Sequence, residues 1–315
     1  MQSALSIHQV TKTFGDHRAL DNVTLEVPKG VVFALLGENG AGKTTAIKLA
    51  LGLERANSGD VEVLGMNSVT DGELIRRRVG YVPERPAMYD WMTAAEIGWF
   101  TAGFYGDDFE HQYRSLLQQY AVPADRKIAQ MSKGMRAKVA LSLALAHQPE
   151  LLILDEPTSG LDTIVRREFL ESMVDIAASG RTVLLSSHLI SEVERVADIV
   201  AIMKQGQLMV VESLDTLKCR THELTITLAS GSSRPPQVPG QVLCCRQRAR
   251  QCQLLVRNLE EDQIDAIRSD ESIVAVEVRT PGLEEIFVAY MQSEADLSGN
   301  DAGADVSKTE NVQTS

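Results

Sequence analysis

No stretch of this sequence is apolar for long enough to cross a bilayer. Its continuous apolar runs, such as Val31–Leu36, fall far short of the ~20 residues a spanning helix needs. Residues 1–15 are mixed polar, with no apolar segment of the signal-peptide kind, which predicts a cytoplasmic chain. Cysteine is scarce: Cys219, Cys244, Cys245 and Cys252 form no CxxC pair, so a zinc site or disulfide framework is not expected and plain thiols are. Positive charge is in deficit, with Lys plus Arg 31 against Asp plus Glu 43 and a net charge of −12. That balance excludes a broad basic face for nucleic acid, but not a local cationic site for phosphate.

What is present is a 315-residue chain, 44% hydrophobic and 23% charged, ordinary globular composition with room for about two domains. Val31–Leu36 and Leu151–Leu154 read as strands buried on both faces, the signature of a parallel sheet. Further strands are expected at Ser6–Thr11, Asp21–Val27, Asp60–Leu64, Val79–Val82, Thr182–Ser186, Asp198–Met203 and Leu208–Glu212. Helices are expected at Lys43–Leu51, Phe109–Tyr120, Ser132–His147 and Thr163–Ser179, with Thr93 and Glu96 as a capping box opening another. The pattern is helical from about 85 to 147. Near residue 221 composition shifts. A small α+β unit over 221–292 follows a first domain over 1–220, with a Ser-, Pro- and Gly-rich stretch at Ser230–Gly240. Residues 293–315 have almost no apolar side chains, which predicts a disordered tail. Glu294, Asp296, Asp301, Asp305 and Glu310 against Lys308 leave −4 there, a third of the net charge.

Two segments carry chemistry. Gly37-Glu38-Asn39-Gly40-Ala41-Gly42-Lys43-Thr44 has the G-x-x-x-x-G-K-[ST] spacing, between a buried strand and a helix that continues through Thr45. The glycines let main-chain N–H groups point inward as an anion nest at a helix N-terminus. Lys43 adds a point charge for the β- and γ-phosphates, and Thr44 a hydroxyl for Mg²⁺. The second segment, Leu151-Leu152-Ile153-Leu154-Asp155-Glu156-Pro157, ends an apolar strand in two acids, at the sheet edge where open α/β folds bind ligands. Asp155 suits the metal, and Glu156 suits orienting a water for in-line attack.

These residues, in this order, resemble the ATP-binding subunit of an ABC transporter. The resemblance covers residues 4 to about 218. It implies an α/β P-loop NTPase cassette, with a mixed-sheet core and a helical subdomain, followed here by the small C-terminal domain. Met131-Ser132-Lys133-Gly134-Met135 is similar to the family signature L-S-G-G-Q. Ser132 and Gly134 match, while Lys133 and Met135 depart. In the family this segment contacts the γ-phosphate held by a second cassette, so the resemblance implies two ATP molecules sandwiched in a dimer. It also implies that Phe14 stacks on adenine, that Asp162 in Ser159-Gly160-Leu161-Asp162 lies at the dimer interface, and that His188 touches the γ-phosphate. In Gly80-Tyr81-Val82-Pro83-Glu84, Glu84 stands where most of the family has a metal-ligating Gln; it is expected still to approach Mg²⁺, adding negative charge there. That Pro-Glu, the altered signature and Thr280–Phe287 look like the ATPases serving type 2 exporters.

The resemblance implies a separate membrane permease as partner and a place on the inner face of the cell membrane. Ten of the fifteen aromatics lie between Tyr81 and Tyr120. Most are expected to form the subdomain's own core, with Tyr89 and Trp91 as candidates for touching the permease. Arg76–Arg78 reads as a solvated helix face. Two rivals remain. A soluble ATPase acting on nucleic acid is disfavoured by the acidic charge, the single phosphate loop and the 90 residues from Gly42 to Ser132, too few for a long coiled-coil insertion. A regulatory cassette with weak turnover is kept open by Glu84 and the altered signature.

Overall fold

The strand β3 (Val32–Leu36) is buried at every position and lies between two parallel neighbours, as its unbroken apolar sequence requires. The computed structural model describes residues 3–229 and 238–292. The tail from 293 and most of the Ser/Pro/Gly-rich stretch lie outside them. Chain contacts divide the molecule into two units, residues 1–216 and 217–315.

The first unit begins with a long hairpin, β1 (Ser3–Phe14) and β2 (His17–Pro28). Both strands run past their apolar centres, because polar residues continue the pairing up to the turn at Gly15. After β3 come α1 (Lys43–Ala50), β4 (Ser58–Val63), β5 (Met66–Asn67), α2 (Gly72–Arg78) and β6 (Val79–Val82). Residues 85–93, expected to be helical, form a loop before α3 (Ala94–Ala102). There Thr93 and Glu96 make the expected capping box. Then follow α4 (Phe109–Gln119), α5 (Lys133–Leu145), β7 (Leu151–Asp155), α6 (Thr163–Ala178), β8 (Thr182–Ser187), α7 (Ile190–Val193), β9 (Ile199–Lys204), β10 (Gln207–Ser213) and α8 (Leu214–Cys219).

Two sheets result. One is four-stranded, in the order β2-β1-β4-β5; the other is six-stranded, in the order β10-β9-β3-β8-β7-β6. The strands from β9 to β6 are parallel, with β10 antiparallel at the edge, so the sheet is mixed. One core joins them: Ile7, Leu20 and Val63 from the first sheet, Phe33, Leu35 and Ile153 from the second, and Ile47 from α1. A separate helical core gathers Met92, Ile97, Phe109, Tyr113, Leu117 and Ile128. Arg76, Arg77 and Arg78 are all exposed, as a solvated face requires, and two of them are also tied down: Arg76 donates to Leu51 O (3.0 Å), and Arg78 Nε to Glu150 (2.7 Å).

The second unit is a four-stranded antiparallel sheet of β11 (Thr221–Leu228), β12 (Gln241–Arg248), β13 (Gln251–Arg257) and β14 (Ile273–Arg279), in the order β12-β13-β11-β14. The helix α9 (Glu261–Arg268) contributes Ile264 and Ile267 to its core. The helix α10 (Leu283–Gln292) is tied to the sheet by Arg257 Nη1 donating to Tyr290 Oη (2.6 Å). None of the four cysteines is in a disulfide. No described helix is long and apolar enough to cross a membrane.

Candidate functional site

The parallel strands β3, β7 and β8 end side by side, and each delivers polar groups to one place. After β3, the loop Gly37–Gly42 turns into α1. Gly40 and Gly42 have φ of 84° and 106°, a conformation closed to most side chains. A Cβ at Gly42 would lie 2.6 Å from Ala19 O, so glycine is required there on space as well. Lys43 opens α1 with its side chain buried. Its Nζ donates to Gly37 O (2.6 Å) and Glu38 O (3.3 Å) and lies 3.1 Å from Glu156 Oε1.

Asp155 ends β7 and is almost fully buried. Its Oδ1 accepts from Ser186 Oγ of β8 (2.6 Å) and from Thr44 Oγ1 of α1 (3.2 Å). Its charge is felt at Tyr81 on β6, whose hydroxyl is pushed up to about 12, first by burial and then by Asp155. Glu156 follows with a φ of 51°, an unfavourable left-handed geometry for a non-glycine residue. The strain is held by its N–H, which donates to Ser186 O and Oγ (both 3.1 Å). The turn swings the carboxylate back over the loop. One oxygen meets Lys43; the other, Oε2, lies 2.7 Å from His188 Nδ1 and accepts the His188 N–H at 3.3 Å.

Lys43, Thr44, Asp155, Glu156 and His188 thus form one cluster beside the Gly37–Gly42 loop, joined by the Lys43–Glu156 ion pair and by hydrogen bonds that run through Ser186. Gly37, Glu38, Asn39, Gly40, Ala41 and Gly42 make up that loop, and Thr45 follows within α1. Thr44 and Asp155 present two hard oxygen donors side by side, the donor set that suits Mg²⁺. Ser186 is the member that sequence reading missed. Its signal is modest: a Ser-Ser pair ending an apolar strand just before His188.

The other expected site residues share no hydrogen bond or ion pair with this cluster among the described residues. Phe14 ends β1 and is 44% exposed, so it is no core residue; Lys12 Nζ sits 4.5 Å from its ring centroid. Glu84 follows β6, is exposed, and makes no hydrogen bond or ion pair with any described residue. Ser132 caps α5 by accepting from Met135 N–H (3.2 Å). Gly134 is pressed against α6: a Cβ there would lie 2.8 Å from Val165 Cγ1. Asp162 caps α6 through Oδ1, which accepts from Ile164 N–H (3.1 Å) and Val165 N–H (3.0 Å).

The aromatic expectation needs correction. Tyr89, Trp91, Trp99, Phe100 and Phe104, half of the ten, are exposed. The helical core holds Phe109 and Tyr113, with Tyr105 and Tyr120 partly buried against it, and is otherwise aliphatic side chains and methionines. Four of the exposed rings touch in a row: Tyr89 with Trp91 (5.9 Å between centroids), Tyr89 with Phe100 and Phe100 with Phe104 (both 5.7 Å).

Comparison with known proteins agrees with this geometry. Residues 20–159 match the family model described as ABC transporter. The chain is 34% identical over 226 residues to the bacitracin transport ATP-binding protein BcrA of Bacillus licheniformis, covering 71% of this chain and 74% of that one. It is 30% identical over 292 residues to an uncharacterized ABC transporter ATP-binding protein, YhaQ, of Bacillus subtilis, covering 90% and 97%. A solved ATP-binding subunit of an ABC transporter superposes with a TM-score of 0.64 at 32% identity, over 69% of this chain and 92% of that one.

Proposed function

Since the chain belongs to the ABC transporter ATP-binding proteins, and as such binds and hydrolyses ATP, we propose that it energises a membrane exporter whose permease is a separate polypeptide. The observation that carries this reading is the single cluster of Lys43, Thr44, Asp155, Glu156 and His188 at the ends of β3, β7 and β8. On this reading the nest of Gly37–Gly42 cradles the phosphates and Phe14 stacks on adenine. Thr44 and Asp155 would hold Mg²⁺, which would neutralise phosphate charge. Glu84 is the third expected oxygen ligand.

Glu156 does the proton work. Its carboxylate accepts a hydrogen bond from water and aims the water's lone pair along the line of attack on the γ-phosphate. His188 fixes the second carboxylate oxygen and faces the phosphate. Lys43 leaves Glu156 for phosphate oxygen when nucleotide binds, so binding itself frees the carboxylate to act. Ser132, Gly134 and Asp162 face a second cassette, homomeric or heteromeric. Closure of that dimer on two ATP molecules drives the permease, and hydrolysis reopens it. The aromatic row beside Trp91 is the docking face, since rings of this kind anchor interfaces. The protein then works at the inner face of the cell membrane. Similarity to a bacitracin transport protein supports cargo of the drug or antibiotic kind.

The test is sedimentation of the Glu156→Gln variant with and without Mg-ATP. ATP is expected to convert it from monomer to dimer with two nucleotides bound. A monomer at saturating ATP would refute the sandwich.

A further inference from the structure

Glu192 is one of few charged side chains the fold buries. It lies on α7, four residues after His188. Its two oxygens go to different elements. Oε2 accepts from Thr158 Oγ1 at 2.7 Å, and Oε1 lies 2.9 Å from Arg166 Nε on α6. Arg166 in turn donates from Nη2 to Leu161 O at 2.9 Å, the carbonyl just before Asp162. Thr158 is itself buried, two residues after Glu156.

The consequence is geometric. Residues 156–162 lead from β7 into α6, and residues 188–192 lead from β8 into α7. The two segments are joined at one end by Glu156 and His188 (2.7 Å) and at the other by Thr158 and Glu192 (2.7 Å). One bond between two segments leaves a hinge; two bonds at different points remove it. The intervening turn is closed on itself by Ser159 N–H to Glu156 O (3.2 Å) and Leu161 N–H to Thr158 O (3.1 Å). Burying a carboxylate is unfavourable unless it is paired. An apolar side chain would fill the same volume without that cost, but would hold neither Thr158 nor Arg166 in register.

We propose that Glu192 is a positioning residue for ATP hydrolysis. It clamps the turn 158–162 to the His188 segment, so that Glu156, His188 and the turn ending in Asp162 move as one body. Anything that displaces that turn is felt at Glu156 through Thr158 and Glu192. The inference rests on the hydrolytic reading above, and its test carries one readout that does not.

Glu192→Gln and Thr158→Val each remove one side of the clamp; Thr158→Ser keeps the hydroxyl. In the full chain, the first two are expected to lower kcat about tenfold or more with KM for ATP held within twofold, as misorientation without lost binding does. Combining them should be no worse than either alone, and Thr158→Ser should stay within twofold of wild type. Amide hydrogen exchange should quicken in 156–162 and 186–192 together. The proposal is overturned if melting temperature falls while kcat holds, if KM rises with kcat unchanged, if the two losses multiply, or if exchange quickens in one segment only. Should Glu192→Gln fail to fold, Thr158→Val and Thr158→Ser decide alone. Should wild type show no turnover, the hydrolytic reading fails and the exchange result still decides the clamp.

Discussion

Replacing Glu156 by Gln should do two things at once, and the second follows from this structure. In this structure the Glu156 carboxylate lies 3.1 Å from Lys43 Nζ, both side chains being largely buried. At that separation and an effective dielectric constant near 20, the Coulomb attraction is about 5 kcal/mol before desolvation is counted. A phosphate must take Lys43 away from this partner. In the Glu156→Gln variant the competitor is neutral, and Lys43 keeps only the carbonyls of Gly37 and Glu38. The remaining amide dipole and the relaxation of the site return most of the difference, so we take about a quarter of it as gained affinity. That is about 1.4 kcal/mol, or roughly tenfold in Kd. Turnover should fall at least a hundredfold, about 2.7 kcal/mol in the barrier, the lower end expected for losing a group that handles the proton. Titration calorimetry with Mg-ATP gives the affinity, and single-turnover phosphate release gives the rate. Unchanged or weaker ATP binding would refute the exchange of Lys43 between Glu156 and phosphate, whatever happened to the rate.

Other expectations concern stability, pH and the remaining site residues. Gly98 faces Tyr113, and a Cβ there would lie 2.1 Å from its ring, so Gly98→Ala should destabilise the helical core by about 1–3 kcal/mol in denaturant melts. His147 is held below its ordinary value of 6.5, first by burial and then by Arg181, despite the Val79 carbonyl. Below that value the unfolded chain binds the proton more readily than the folded one, so stability is full above about 6.5 and is lost as pH falls. Melting temperature should therefore drop more between pH 7.5 and 5.5 in wild type than in His147→Gln; parallel losses would remove His147 from the account. Trp91→Ala should leave the ATPase rate of the isolated chain unchanged and abolish copurification with the permease, and intact association would move the docking face elsewhere. Glu84→Gln should tighten Mg-ATP binding by removing a negative charge, and unchanged binding and turnover would leave Glu84 outside the metal site.

Much of this was legible in the sequence because the informative features are local. A strand buried on both faces must be continuously apolar, so β3 and β7 stand out. The Thr93–Glu96 box, the glycine punctuation of the phosphate loop and the paired acids after β7 all lie within a few residues of what they act on. What could not be read depends on distant pairing or on backbone geometry. Ser186 meets Asp155, and Glu192 meets Thr158 and Arg166, only because the sheet brings β7 and β8 together. The left-handed φ of Glu156, which aims its carboxylate at Lys43 and His188, leaves no residue-type signature. The helix α7 is too short to show a period. Aromatic enrichment in 81–120 marked that region without saying which rings face inward, and half of them face out.

Phosphate release from Mg-ATP by the purified full chain, run beside Glu156→Gln and Lys43→Ala, tests the centre of the account. Steady turnover in wild type, cut at least a hundredfold in both variants, is the predicted result. Turnover that survives in both variants would contradict it, because hydrolysis would then not depend on the cluster that the strands β3, β7 and β8 assemble.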